Sequence, residues 1–281
     1  MRWLVTGAGG MLGRDLVDLL RVRAVEVTAA ARENLDITAS EAVDAAVSGH
    51  DVVVNCAGWT DVDGAESQEA AAFAVNATGA EHLARAAQAH GARLVHISTD
   101  YVFDGAAATP YPEDAPLDPR SAYGRTKAAG ERAVRGLCAD HLVVRTAWLY
   151  GAHGSCFPRT IARVARERGR LDVVTDQVGQ PTWTVDLADL VVRLVDSAVP
   201  AGTYHGTASG RASWFEFARA VVGAAGLDPD IVRPTTAAAI SRPAPRPAFS
   251  VLGHERLRAA GVTPIGEWSQ RWVAASQAVL V

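Results

Sequence analysis

The stretch Gly7-Ala-Gly-Gly10-Met-Leu-Gly13 decides the fold of this chain. It follows a short apolar run over residues 2–6, which favours a buried strand, and it precedes residues 14–20, whose apolar side chains recur at helical spacing. A strand, a glycine-rich turn and a helix that begins at the last glycine form the unit that holds the pyrophosphate of a dinucleotide. The sequence therefore predicts such a unit at the start of the chain.

The three glycines of this turn have separate physical roles. Gly7 permits the tight turn, Gly10 lets the backbone approach the pyrophosphate because no Cβ intervenes, and Gly13 lets the helix pack close to the strand. The N-terminus of the helix then offers free N–H groups and a partial positive charge to the phosphates. The alternative is a glycine-rich turn without a ligand, and the position after the first predicted strand favours the dinucleotide.

Strand-like and helix-like segments alternate beyond this unit. The predicted strands are residues 26–30, 51–57, 93–97 and 141–145, and the predicted helices are residues 68–90 and 119–136. This alternation predicts an α/β fold with a doubly wound parallel sheet, a Rossmann domain, over residues 1–150.

The composition changes after residue 150, where glycine, proline and aromatic residues become frequent. A helical pattern near 182–200 is expected to rejoin the first domain. The remaining segments, 151–181 and 201–281, are expected to form a smaller C-terminal lobe that binds the substrate.

A second motif, Tyr123-Gly-Arg-Thr-Lys127, lies downstream of Ser98-Thr99-Asp100. Tyr123 and Lys127 are one helical turn apart and share a face of the predicted helix. An ammonium beside a phenol lowers the phenol pKa from about 10, so Tyr123 could deliver a proton to a carbonyl oxygen near neutral pH. Thr99 could hold the same oxygen. The pair alone is compatible with a solvated surface helix, but the dinucleotide unit upstream favours a carbonyl reductase.

The predicted site residues follow the carboxyl ends of predicted strands, where ligands of parallel sheets bind. The glycine turn, Gly58, Thr99 and Trp148 all occupy such positions. We therefore expect them to form one site, with core packing as the alternative for Trp148.

The segment after the second predicted strand bears on the choice of cofactor. An acidic residue at the end of that strand binds the adenine ribose and selects NAD, and none ends this strand cleanly. Arg32 follows instead, and it could meet the 2′-phosphate of NADPH or be an ordinary solvated side chain. Asp36 and Ile37 are candidate contacts to the adenine. NADPH is the expected cofactor, and NADH is the alternative.

Composition excludes several other classes of function. The chain has 281 residues, 49% of them hydrophobic and 21% charged, as in globular proteins, and a net charge of −4 gives no support for a nucleic-acid partner. No apolar run approaches the ~20 residues of a membrane span, and the chain enters its first strand at once, so we expect neither membrane insertion nor a signal peptide. Three cysteines without a C-x-x-C pair favour a reducing compartment, so a cytoplasmic location is expected.

These residues resemble the dTDP-4-dehydrorhamnose reductase family of the extended short-chain dehydrogenase/reductase superfamily. The segments that carry the resemblance occur in order and span nearly the whole chain. They are residues 7–13, 55–66, 98–105, 123–131, 145–151, 176–182 and 246–252.

The resemblance implies a role for each matching residue. The catalytic residues would be Thr99, Tyr123 and Lys127, with Tyr123 and Lys127 also against the cofactor. The cofactor would also contact Gly10, Met11, Leu12, Asp36, Ile37, Gly58, Trp59 and Thr60, in addition to Gly7, Gly13 and Arg32, which the arguments above assign to it. The substrate, a dTDP-4-keto-6-deoxyhexose, would contact Thr99, Asp100, Trp148 and Arg246, the last through its diphosphate. The implied reaction is NAD(P)H-dependent reduction of the C4 ketone, with dTDP-4-dehydro-L-rhamnose as the default substrate.

Departures from the family pattern keep the substrate open. Cys56, Gly58 and Trp59 replace a small residue, an alanine and a tyrosine or histidine. The alternatives are a 4-ketoreductase of another dTDP-deoxysugar and a non-catalytic regulatory subunit. Asp100-Tyr101 stands where sugar-nucleotide dehydratases have Asp-Glu, which disfavours that class. No metal is expected because the sequence lacks the carboxylates that bind a divalent ion at a dimer interface in some relatives, and a homodimer is compatible with the sequence.

Overall fold

The computed structural model describes residues 1–281 and contains a central parallel sheet of six strands. Helices and strands alternate through the first half of the chain. They are β1 (Arg2–Thr6), α1 (Met11–Val22), β2 (Glu26–Ala30), α2 (Ser40–Val47), β3 (Val52–Asn55), α3 (Val62–Ser67), α4 (Glu69–Phe73), α5 (Gly79–His90), β4 (Arg93–Thr99), α6 (Ala122–Leu137), β5 (His141–Thr146) and β6 (Leu149–Tyr150).

The second half has shorter strands between its helices. Its elements are α7 (Phe157–Arg168), β7 (Leu171–Val174), β8 (Val178–Gly179), β9 (Thr182–Trp183), α8 (Thr184–Asp196), β10 (Gly202–His205), β11 (Ala208–Ser209), β12 (Ala212–Ser213), α9 (Trp214–Ala224), β13 (Val232–Thr235), α10 (Glu255–Ala259), β14 (Ile265–Glu267) and α11 (Trp268–Leu280). None of the helices combines the length and the apolar character that a membrane crossing requires.

The strand order of the main sheet is β10-β5-β4-β3-β1-β2, with every pair parallel. The predicted α/β class with a parallel, doubly wound sheet is confirmed. The chain turns outward from β1 to β2 and then crosses back to β3, so the direction of winding reverses between β1 and β3. Ligands of such sheets bind in the crevice at this reversal, outside the carboxyl ends of the strands.

Both faces of the inner strands β1, β3, β4 and β5 are buried, which explains their apolar runs. Alternate side chains of β3 point to opposite faces. Val52 and Val54 pack with α1 and α8, whereas Val53 packs with α2 and α5. Since α8 covers the same face as α1, residues 184–196 rejoin the first layer.

Three elements differ in detail from the sequence prediction. Helix α1 begins at Met11 rather than at Gly13, because Gly10 has the extended backbone of an N-cap. The predicted helix over 68–90 is interrupted by a π-helical turn at Ala74–Thr78. Residues 202–205, assigned from sequence to the smaller lobe, form β10 at the edge of the main sheet.

Short strand pairs and helices α7, α9 and α11 make up most of the rest. A separate apolar cluster rich in aromatic side chains holds these three helices together. Tyr150 of β6 is a buried member of this cluster, and Trp148, which follows the carboxyl end of β5, packs against it. This arrangement places aromatic residues next to the crevice of the main sheet.

Candidate active site

The glycine turn between β1 and α1 is tightly packed. Gly7 has a φ of +65°, and a Cβ there would lie 2.5 Å from the backbone nitrogen of Ala57. A Cβ on Gly13 would collide with the Gly7 carbonyl. Gly10 caps α1 without any side chain bonded to the first amides of the helix, so these N–H groups are free to bind an anion. The turn therefore fits a dinucleotide pyrophosphate, which would lie against Gly10, Met11 and Leu12.

Residues Gly58, Trp59 and Thr60 follow β3 and face α6 across the crevice. The side chain of Asn76 holds this loop, since its Oδ1 accepts from the Trp59 nitrogen at 2.8 Å and its Nδ2 donates to the Trp59 carbonyl at 3.2 Å. Nδ2 also donates to the Thr126 hydroxyl at 3.0 Å, beside Lys127. Asn76 thus joins the loop to the helix that carries Tyr123.

Sequence reasoning missed Asn76, although a signal existed. Asparagine is a poor residue for a helix interior, and here it stands in an alanine-rich helical run. In the structure it is buried within the π-helical turn, a feature that is frequent at functional sites.

The residues predicted to meet the adenine end are partly engaged elsewhere. The Asp36 carboxylate accepts from the Thr38 nitrogen at 2.9 Å and the Thr38 hydroxyl at 2.8 Å, which lowers its pKa. Ile37 is buried against Gly79. Arg32 is exposed and forms no salt bridge, although its charge helps to lower the pKa of Asp36, so its guanidinium is available for a phosphate.

Thr99 and Tyr123 meet at the carboxyl end of β4. The Tyr123 phenol lies beside the Thr99 hydroxyl, close enough for that hydroxyl to lower the phenol pKa. Thr99 Oγ1 donates to Asp100 Oδ1 at 2.9 Å and accepts from the Tyr101 nitrogen at 3.2 Å. The Tyr101 ring supports Tyr123 edge-on, with ring centroids 5.6 Å apart. Two hydroxyls therefore converge where a carbonyl oxygen could sit.

The electrostatics of Tyr123 differ from the sequence prediction. Burial raises the pKa of the phenol to about 12, and the neighbouring Thr99 hydroxyl offsets only part of this rise, to which the Asp100 charge adds. Lys127 was expected to lower the pKa of the Tyr123 phenol, but it has no such effect in the structure. Lys127 Nζ instead donates to the Ile97 carbonyl at 2.6 Å. Because desolvation dominates, the phenol stays protonated at neutral pH, as a proton donor must be.

Lys127 itself is buried, and this lowers its pKa to about 8, while the charge of Glu131 favours the ammonium. Its Nζ would lie 4.0 Å from a Cβ on Gly58, so the ammonium also borders the loop after β3. Cys56, in the same corner, has its thiol pKa raised to about 12 by burial, which makes the thiol inert.

Asp100 follows Thr99 and is 2% exposed. Burial raises the pKa of its carboxyl to about 6, and the neighbouring hydroxyls of Ser250 and Thr99 offset only part of this rise. Its second oxygen, Oδ2, is buried without a hydrogen-bond partner. Such an atom is costly to leave unpaired, so it is suited to bind a hydroxyl of a ligand.

Trp148 and Arg246 lie on the far side of this corner. The Trp148 ring stacks on Trp214, with centroids 3.5 Å apart and planes within 6°. Arg246 donates from Nη1 and Nη2 to the Asp63 carboxylate at 3.0 and 2.7 Å. Arg246 lines a surface pocket together with Tyr101 and Arg120. Sequence reasoning did not foresee that Asp63 already holds Arg246.

A buried ion pair below the site was also missed. Arg145 donates to Glu131 from Nε at 2.9 Å and from Nη2 at 2.8 Å, and both side chains are fully buried. Ser98 donates to the same carboxylate at 2.7 Å. These three residues belong to β5, α6 and β4, so the pair fixes the helix of Tyr123 against the strand of Thr99. Glu131 stands one turn after Lys127, a spacing that could have identified it.

Comparison with known proteins agrees with this geometry. The family model described as RmlD substrate binding domain matches residues 1–280. A dTDP-4-dehydrorhamnose reductase of Streptomyces griseus is 52% identical, covering 95% of this chain and 90% of that protein. A dTDP-4-keto-6-deoxy-D-glucose reductase of Streptomyces niveus is 51% identical, covering 95% and 94%.

A solved structure extends this similarity to three dimensions. The dTDP-4-dehydrorhamnose reductase of Bacillus anthracis, in complex with NADP, has a TM-score of 0.93 and 35% identity, covering 98% of each chain. The similarity therefore runs through the whole fold, including the glycine turn and the carboxyl ends of the strands. The chain belongs to the RmlD substrate binding domain family.

Proposed function

We propose that this protein is an NADPH-dependent oxidoreductase that reduces the C4 ketone of a dTDP-4-keto-6-deoxyhexose. The default reaction is dTDP-4-dehydro-L-rhamnose to dTDP-L-rhamnose. The observation that carries the proposal is the convergence of the Thr99 and Tyr123 hydroxyls, at the strand ends beside a glycine turn whose helix amides are free. Relatives named as reductases of dTDP-sugars support the substrate class, and the NADP complex of a relative supports the cofactor.

Bound NADPH supplies the hydride that reduces the carbonyl carbon. Tyr123 donates its phenolic proton to the oxygen, which develops negative charge as the hydride arrives. The Thr99 hydroxyl exchanges its hydrogen bond to Asp100 for one to the same oxygen and so stabilises that charge. The Lys127 ammonium, between Ile97 and the loop after β3, can hold the ribose hydroxyls of the cofactor.

The cofactor would lie across the crevice from the glycine turn to α6. Its pyrophosphate would contact Gly7, Gly10, Met11, Leu12 and Gly13. Its adenosine end would contact Arg32, Asp36 and Ile37, and its middle would contact Gly58, Trp59 and Thr60. This order follows the order of the carboxyl ends in the sheet, from β2 through β1 to β3.

The substrate would fill the opposite side of the crevice. Asp100 has an unpaired Oδ2 for a sugar hydroxyl, and Trp148 gives an apolar wall. Arg246 would bind the diphosphate. Its guanidinium would then leave the Asp63 carboxylate and bind the phosphate oxygens instead. Arg120, in the same pocket, adds a second positive charge.

The test is loss of NADPH absorbance at 340 nm with dTDP-4-keto-L-rhamnose, with the product sugar identified by NMR. Stoichiometric oxidation that yields dTDP-L-rhamnose supports the proposal. Binding of NADPH without oxidation of any dTDP-4-keto-sugar would instead indicate a regulatory subunit.

A second candidate substrate is the 4-keto group of another dTDP-deoxysugar. It is favoured by the 51% identity to the dTDP-4-keto-6-deoxy-D-glucose reductase, almost equal to the identity with the rhamnose enzyme. A direct competition between the two keto-sugars decides which one is preferred.

We further propose that the enzyme acts in the cytoplasm as a homodimer. The location is supported by the need for NADPH and by three cysteines that form no disulfide. Cell fractionation tests the location, and light scattering of the purified protein tests the assembly.

A further inference from the structure

Trp148 has an unusual backbone for a bulky residue. Its φ is +48°, and the other non-glycine residues with positive φ are the alanines Ala24 and Ala198. The left-handed region is an outlier for large side chains and persists only where the surroundings enforce it. Trp148 also follows Thr146, which is the register partner of Thr99. The strained residue therefore stands at the edge of the proposed site.

Two neighbours fix the plane of the Trp148 ring. Trp214 covers one side in a parallel stack. Gly179 lies against the ring as well, since a Cβ there would be 2.5 Å from Cε2 of the indole. Gly179 lies in β8, which pairs with β12 through Ala212, and Trp214 begins α9 directly after β12.

Trp214 is itself held firmly. It opens α9, whose first turn carries a capping box in which the Ser213 nitrogen donates to Glu216 at 2.7 Å and the Glu216 nitrogen donates to Ser213 Oγ at 3.1 Å. Phe157 packs on the Trp214 ring at 4.4 Å. The stack is thus anchored in the C-terminal part of the chain, away from the dinucleotide turn.

We propose that Trp214 and Gly179 are positioning residues that set the plane of Trp148 and so determine which 4-keto-sugar the site accepts. The inference rests on the proposed function, in which Trp148 forms a wall of the sugar site. A shift of this wall changes the fit of the sugar ring, while the cofactor turn and the proton donor Tyr123 stay in place. The effect is therefore expected on KM and on sugar preference, with NADPH binding unchanged.

The experiment compares Trp214→Leu and Gly179→Ala with matched controls. Trp268→Leu removes another half-buried tryptophan of the same aromatic cluster, and Gly266→Ala adds a methyl group where the nearest atom is 3.5 Å away. Trp214→Phe keeps a flat ring against Trp148 and is the conservative rescue. Both test variants should raise KM for the preferred sugar by about 10-fold to 100-fold, as expected for a misplacement of about 1 Å.

Sugar preference is measured as the ratio of kcat/KM for dTDP-4-keto-L-rhamnose and dTDP-4-keto-6-deoxy-D-glucose. The ratio should move towards unity in Trp214→Leu and Gly179→Ala, while the Kd of NADPH matches that of the wild type. Circular dichroism reports the stack independently, because two stacked indoles give an exciton couplet that Trp214→Leu and Trp214→Phe both remove. Trp214→Phe should restore the sugar preference although the couplet is absent.

Loss of the couplet in Trp214→Leu with wild-type KM and sugar preference would overturn the inference, as would equal losses in Trp268→Leu. If the wild type reduces neither sugar, the proposed function fails, and calorimetry with dTDP-L-rhamnose tests the positioning separately. Weaker binding of dTDP-L-rhamnose by both test variants, but not by the controls, then supports the positioning role of Trp214 and Gly179. Unchanged binding overturns it.

Discussion

At the scale of the residue, burial governs the chemistry of the site. Tyr123 and Asp100 both have raised pKa values because desolvation outweighs their hydrogen bonds. Spacing in the sequence identified Tyr123 and Lys127 as neighbours on a helix. It could not reveal that Lys127 bonds to Ile97, because that contact depends on the packing of α6 against β4.

The proton donor can be tested by Tyr123→Phe. Loss of the phenol should lower kcat by about 100-fold to 10,000-fold, the usual contribution of a positioned acid, because no other acid occupies its place. The Kd of NADPH, measured by fluorescence titration, should stay near the wild-type value. Tyr150→Phe is the matched control, since the Tyr150 hydroxyl is buried without a partner. Activity of Tyr123→Phe within 10-fold of the control would rule out Tyr123 as the donor.

The Asp100 carboxyl should lower stability at neutral pH. Its pKa is raised from 3.8 to about 6 by burial, so the folded state binds the proton more tightly than the unfolded state. Stability is therefore lost as the pH rises from about 4 to about 6, on the order of 3 kcal/mol in total. Asp100→Asn has no carboxyl to ionise and therefore does not lose this stability. The free energy of unfolding in urea should exceed that of the wild type by more at pH 7 than at pH 4. An effect independent of pH would contradict the raised pKa.

At the scale of the element, the ion pair between Glu131 and Arg145 couples α6 to the sheet. Both groups are fully buried, and Ser98 and the Glu113 carbonyl complete their hydrogen bonds. A buried pair of this kind adds little net stability, but breaking it leaves an unpaired charge in the interior. The pair is thus a device that orients Tyr123 and Thr99 relative to each other.

Glu131→Gln should therefore be strongly destabilising. The expected loss is about 3–5 kcal/mol, because the Arg145 guanidinium stays buried without its counter-charge. The control is Glu167→Gln, which breaks an exposed pair with Arg163 at 2.9 Å and should cost at most about 1 kcal/mol. Urea unfolding measures both variants. If the two variants lost similar amounts of unfolding free energy, water would have to solvate the Arg145 guanidinium in Glu131→Gln.

The elements themselves were predictable to differing degrees. Strands β1, β3, β4 and β5 follow from apolar runs that are buried on both faces. Strand β10 was missed because Gly-Thr-Tyr-His carries no apolar run, and its place at the sheet edge depends on pairing with β5. The start of α1 moved because the extended backbone of Gly10, and not the glycine pattern itself, caps the helix.

At the scale of the whole molecule, the proposed site combines residues of the main sheet with residues of the C-terminal aromatic cluster. The cofactor turn belongs to the main sheet, whereas the stack of Trp148 and Trp214 belongs to the aromatic cluster of α7, α9 and α11. The link between Asp63 and Arg246 joins α3 to the segment after residue 240. The sequence could indicate each group of residues but not these contacts, since their members lie more than 60 residues apart.

Cofactor choice can be measured from the stability of the whole molecule, because a ligand that binds only the folded state raises Tm, and at equal concentration the tighter ligand raises it more. Arg32 is exposed without an ion-pair partner, and no carboxylate ends β2, so the 2′-phosphate of NADPH has a cation to meet. At equal concentration, NADPH should raise Tm more than NADH does. Arg32→Ala should weaken NADPH by about 10-fold to 100-fold, the value of a charged hydrogen bond, and leave NADH unchanged.

The control for this comparison is Arg168→Ala, which removes an exposed arginine from the last turn of α7. Calorimetric titration gives the two Kd values directly and separates affinity from any change in intrinsic stability. If Arg32→Ala retains the wild-type preference for NADPH, Arg32 is an ordinary solvated side chain. The 2′-phosphate must then be bound by other groups, of which Arg14 is the nearest cation on the glycine turn, bonded to the Gly9 carbonyl at 3.0 Å.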